Sequence, residues 1–135
     1  MFYNIMSTRV HSKHSVYNLS YHIIWIPKYR KHILTGQIHD TLHSILLEKA
    51  KSIGCSIEAF EIMPDHIHIF LVAKPTLTVS YIVNQLKGYS SYALRKQFPF
   101  LKKYKHLWTN SYYCESIRLI SQKTVKRYIE MQRYV

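Results

Sequence analysis

Alternation and helical spacing divide the chain into an ordered series of elements. After a polar N-terminal arm (residues 1–15), VYNLSYHIIWIPKYR is rich in β-branched and aromatic residues and reads as a strand stopped by Pro27. In QIHDTLHSILLEKAKSIGCS the apolar residues Ile38, Leu42, Ile45, Leu46 and Ile53 fall at helical spacing, and Gly54 offers a C-terminal cap. SIEAFEIMP and HIHIFLVAKP then read as two strands joined by a turn at Pro64–Asp65. A long helix is predicted from Thr78, as N-cap, through Ile82, Leu86, Tyr89 and Ala93, ending before Pro99. A basic loop leads to a strand around SYYCESIRL, and a last helix starts near Ser121. The order β-α-β-β-α-β plus a terminal helix predicts an α+β, ferredoxin-like (RRM-like) two-layer sandwich. Its antiparallel sheet would carry helices on one face and leave the other open for function. Such a fold hosts many activities and names none.

Composition narrows the class. At 135 residues the chain is read as one domain, 1–135, long enough to bury a core without staples. Lys and Arg number 19 against 7 Asp and Glu, a formal charge of +12 that draws a protein to polyanions, nucleic acid first. Cys55 and Cys114 lie far apart with no CxxC pair, so they read as buried thiols in a reducing compartment. No apolar run approaches the ~20 residues of a membrane span, and the N-terminus lacks the apolar core of a signal peptide. A soluble, cytoplasmic protein is expected.

The charge is uneven. No Asp or Glu occurs between Asp65 and Glu115, whereas Lys74, Lys87, Arg95, Lys96, Lys102, Lys103 and Lys105 all fall there. A second basic cluster, PKYRKH, follows the first strand. Trp25, Tyr29, Phe98, Phe100, Tyr104 and Trp108 are interleaved with the two clusters. Each ring alone fits a core; cations beside rings in two clusters fit single-strand binding, in which lysines track phosphates and rings stack bases.

The chemistry-bearing stretch is MPDHIHIF. Strand alternation puts His66, His68 and Phe70 on one side, with the two imidazoles roughly 7 Å apart along the strand, within reach of one ion. Two histidines are an incomplete site, and the same pattern arises on half-exposed strands. In the last helix, SQKTVKRYIEMQRYV, Tyr128 and Gln132 stand at i, i+4 on one face, although Val125, Tyr128, Ile129 and Gln132 also fit a core-facing stripe. His39 and His43 share the i, i+4 spacing on the first helix without an obvious third ligand. Asp65 is read as a residue of the Pro64 turn, the alternative being that it orients an imidazole.

MPDHIHIF resembles the HUH motif (His, hydrophobic, His), and VKRYIEMQ resembles the tyrosine helix of the single-tyrosine HUH transposases that move insertion sequences as single-stranded DNA. YHIIWIPKYR, LKGYSSYALR and LWTNSYYCESI add matches in the family's order, so the resemblance covers the chain from about Tyr17 to Gln132. It implies that His66, His68 and Gln132 bind a divalent ion, Mg²⁺ or Mn²⁺, and that Tyr128 is the nucleophile of a 5′-phosphotyrosine intermediate, with no nucleotide cofactor. It also implies a homodimer and a substrate with a DNA hairpin at the transposon end. Lys28, Arg30, Lys87 and Arg95 are the candidates for DNA contact, chosen by charge, position and partial motif match. A domesticated REP-associated relative and a non-catalytic RRM-like single-strand binder are the alternatives.

Overall fold

The structure, a computed structural model, describes residues 10–11 and 16–117. In the predicted arm lies β1 (Val10–His11), which pairs antiparallel with β2 (Val16–Tyr17) just beyond it, forming a two-stranded ladder. The stretch read as one strand from Val16 is therefore split at Asn18, and the main strand β3 spans Leu19–Trp25. It is followed by α1 (Gly36–Ser52), β4 (Cys55–Met63), β5 (His66–Ala73), α2 (Val79–Gln97) and β6 (Tyr113–Ile117). The predicted last helix, with Tyr128 and Gln132, lies outside the described residues.

The main sheet has the order β4-β5-β3-β6, and every neighbouring pair is antiparallel. Its first and third strands, β3 and β5, are central, which is the ferredoxin-like arrangement. Local chemistry explains the boundaries. The Thr78 hydroxyl accepts the Tyr81 N–H at 3.2 Å, satisfying an otherwise orphaned donor at the start of α2. After α1 the chain turns at Gly54, whose φ of +86° belongs to the left-handed region. A Cβ there would also stand 3.2 Å from the Lys74 side chain.

One sheet face makes the core. Ile23 and Trp25 of β3 and Ile67, Ile69 and Leu71 of β5 project to it, and all are buried. They pack on stripes spaced for helices: Leu42, Leu46 and Ala50 of α1, and Ile82, Val83, Leu86 and Leu94 of α2. Alternation sends their neighbours to the opposite face. That face is withdrawn from solvent too: Ser20, His22, His68, Phe70 and Val72 are all buried. No helix among the described residues is long and apolar enough to cross a membrane.

Candidate active site and nucleic-acid interface

The second sheet face carries the histidines. Register sets Met63 beside His66, and Ile24 and Glu61 on either side of His68. His22 of β3 lies one step along, so that three imidazoles gather on adjacent strands. The rings of His66 and His68 meet edge to face with centroids 4.7 Å apart, and those of His22 and His68 stack at 5.5 Å. His22 Nε2 lies 3.4 Å from His68 Nδ1.

Asp65 decides which nitrogen of His66 is left over. Its carboxylate accepts from His66 Nδ1 at 2.8 Å, so the proton sits on Nδ1 and the Nε2 lone pair is exposed to whatever faces it. Nε2 of His66 and Nε2 of His68 are both buried and have no hydrogen-bond partner among the described residues. Two adjacent buried imidazole nitrogens without partners fit a divalent cation. No group of three His, Cys, Asp or Glu among the described residues completes such a site. Gln132, expected as third ligand, lies outside them.

Burial favours the neutral form of two of the rings, His22 and His68. Burial, and then the nearby charge of His68, push His22 down to about 4. Burial lowers His68 as well, helped by His66 and opposed by Glu61. Burial alone would raise the Asp65 carboxyl, but hydrogen bonds and charge from His66 and Arg30 outweigh it and hold the pKa below the usual value.

Asp65 was expected to serve the Pro64 turn. Instead its side chain bridges the two sides of the site: one oxygen takes His66, and the other takes Arg30 Nη2 at 2.9 Å, with His32 Nε2 at 3.7 Å. Arg30 closes a tight turn, Lys28–Arg30, in which Tyr29 (φ 62°, ψ 20°) and Arg30 (φ 51°) are both left-handed. The turn is tied down by Lys28 N–H donating to the Leu107 carbonyl at 2.8 Å and Arg30 N–H to the Pro27 carbonyl at 2.9 Å.

The other candidate cations divide by what they hold. Lys28 lies over the Tyr29 ring, 5.5 Å from its centroid. The Lys87 ammonium donates to the carbonyls of Thr109 (2.5 Å) and Ser111 (3.1 Å), and burial lowers its pKa. Arg95 donates to the Tyr104 carbonyl. With Trp108 Nε1 donating to Ser90 Oγ at 3.0 Å, these contacts fasten the basic segment after α2 onto that helix. His39 pairs with Asp40 and His43 lies on the Phe60 ring, so those two histidines have separate partners. His22 was missed on the sequence, since only the long-range pairing of β3 with β5 brings it to His68.

The profile of the family described as "Transposase IS200 like" matches residues 15–132. The chain belongs to this family. It is 36% identical over 120 residues to the ISDra2 transposase TnpA of Deinococcus radiodurans, covering 87% of this chain and 86% of that one. It is 34% identical over 122 residues to the transposase for insertion sequence element IS200 of Salmonella typhimurium, covering 88% and 80%. Among solved structures, a candidate transposase from D. radiodurans R1 superposes with a TM-score of 0.77 at 34% identity, over 91% of this chain and 97% of that one. A REP-associated tyrosine transposase bound to a REP hairpin superposes with a TM-score of 0.58 at 17% identity, over 87% and 68%, a likeness of fold. This IS200-like protein is thus a transposase, an enzyme that cleaves and transfers DNA strands.

Proposed function

We propose that this transposase cleaves and rejoins single-stranded DNA at insertion-sequence ends through a 5′-phosphotyrosine at Tyr128. The observation that carries the reading is the pair of buried Nε2 atoms of His66 and His68, without hydrogen-bond partners among the described residues, one of them aimed by Asp65. These two nitrogens would hold a divalent ion, Mg²⁺ or Mn²⁺, together with the Gln132 amide oxygen. When bound, that ion supplies Lewis-acid polarisation of the scissile phosphate. Asp65 keeps the His66 proton on Nδ1, and burial keeps His68 neutral, so both rings present a lone pair.

In the chemical step the Tyr128 oxygen attacks phosphorus, and a P–O bond to Tyr128 forms as the P–O3′ bond breaks. The tyrosine proton is lost, and the leaving oxygen gains one to become a free 3′-OH. The phosphodiester energy is retained in the tyrosine ester, so a 3′-OH can attack it and seal a new junction without ATP. The family's pattern adds a homodimer and a hairpin at the transposon end. Identities of 34–36% to insertion-element transposases, against 17% to the REP-associated one, favour the mobile-element role over the domesticated one.

Incubation with Mg²⁺ and a transposon-end oligonucleotide is expected to give a covalent protein–DNA adduct. The adduct should disappear with EDTA, in Tyr128→Phe, and in His66→Ala or His68→Ala. An adduct that persists in Tyr128→Phe would assign the nucleophile elsewhere.

A further inference from the structure

We propose that Tyr29 is a base-stacking platform on a single-strand track that runs over the segment after α2 and reaches the Lys28–Arg30 turn. The proposal deepens the single-strand reading above and rests on it.

Three clefts lined wholly by described residues adjoin one another there, with volumes of about 610, 420 and 350 Å³. The first shares Arg95 with the second, and Tyr104 and Lys105 with the third; the second and third share His106. None of the three contains an Asp or Glu. A lysine stands beside each exposed or half-exposed ring: Lys96 near Tyr92, Lys103 near Tyr104, and Lys28 near Tyr29. Cations beside ring faces match a sugar-phosphate backbone with unstacked bases. A duplex offers its phosphates but hides its base faces.

Tyr29 is the sharpest feature of this surface. The residue is 79% exposed, yet its backbone is left-handed, as is that of Arg30 after it. Glycine or asparagine would hold such a turn at less strain, and a bulky ring in water contributes nothing to the core. Strain of this kind persists where the surroundings over-determine it, and it gathers at binding sites. Here the turn's geometry has a use. It sends Arg30 inward to Asp65, and through Asp65 to His66, while Tyr29 faces the cleft shared with Lys103, Tyr104 and Lys105. A nucleotide stacked on Tyr29 therefore sits one residue from the chain of contacts that aims the His66 ring. The face of a tyrosine discriminates little among bases, so this contact would be tolerant of sequence.

The test is fluorescence anisotropy in EDTA, where no cleavage competes, with two labelled probes: an oligothymidylate and an abasic strand of equal length. Tyr29→Ala is expected to weaken oligothymidylate binding about tenfold and abasic binding hardly at all. Tyr29→Trp should retain wild-type affinity. Tyr29→Gly should lose affinity like the alanine variant while melting higher, by roughly 4 °C, because the strain is relieved. Equal affinities of wild type and Tyr29→Ala for oligothymidylate would overturn the platform, as would equal losses on both probes. Failure of the single-strand transposition reading is seen separately, as the absence of a Tyr128 adduct with Mg²⁺, and the binding data in EDTA do not depend on it.

Discussion

The two faces of one sheet, drawn from alternate residues of the same strands, are both buried but are built to different ends. On the core face, Ile23, Ile67, Ile69 and Leu71 belong to one apolar cluster, in which the Trp25 indole nitrogen is buried without a hydrogen-bond partner among the described residues. On the other face, His22, His66 and His68 bring ring nitrogens into a space nearly as dry, two of which have no hydrogen-bond partner among the described residues. Burying polar atoms without partners is costly. The first face is thus arranged for stability, and the second holds a cost that a bound cation would offset.

The sharpest way to break the contrast is on the core face. Ile69→Ala is expected to cost about 3 kcal/mol, read as a lower urea midpoint with an unchanged slope. A loss below ~1 kcal/mol would mean that the site collapses around the gap. On the histidine face the expected response is to metal. Mn²⁺ at a hundredfold over its dissociation constant should stabilise the protein by about 2.7 kcal/mol, and EDTA should reverse it. The shift should vanish in His66→Ala/His68→Ala; if the double variant keeps it, the pair is not the ligand set.

Alkaline titration probes the core side again. Burial raises the Cys55 thiol from 9.0 to about 11, with Lys74 opposing. The folded pKa lies above the unfolded one, so the contribution is complete below pH 9 and is lost as pH climbs through 11. The loss amounts to roughly 2–3 kcal/mol, and Cys55→Ala should flatten it. The smallest effect on stability is expected at Arg30→Ala, since an exposed pair contributes under about 1 kcal/mol. Its effect on the site should be larger, a roughly tenfold weaker Mn²⁺ affinity by calorimetry, because Asp65 loses the partner that holds it against His66. Unchanged affinity would reduce Arg30 to a surface contact.

What could be read in advance was what short-range chemistry controls. Alternation separated His66 and His68 from Ile67 and Ile69, Thr78 was legible as a cap, and Gly54 as the end of α1. Long-range pairing was not legible. The break at Asn18, the irregularity between Ile57 and Ala59 in β4, and the arrival of His22 beside His68 all depend on which strands become neighbours. Side-chain aim was also hidden. Asp65 in a Pro-Asp turn has the composition of a turn residue, and only the fold brings Arg30, 35 residues away, to its second oxygen. The family resemblance found from the motifs stands, while Tyr128 and Gln132 lie outside the described residues.

The inward tie of Lys87 has a consequence for how tightly a polyanion is held. Salt-sensitive affinity follows the number of small ions that a protein displaces from phosphates. A lysine whose ammonium already donates to the Thr109 and Ser111 carbonyls has one N–H left for a phosphate and displaces fewer ions than a free one. Arg30, engaged with Asp65, and Arg95, engaged with Tyr104, displace fewer than their formal charge implies. The slope of binding against salt should therefore count Lys28, Lys96, Lys102, Lys103 and Lys105, and should fall well short of the +12 written in the composition.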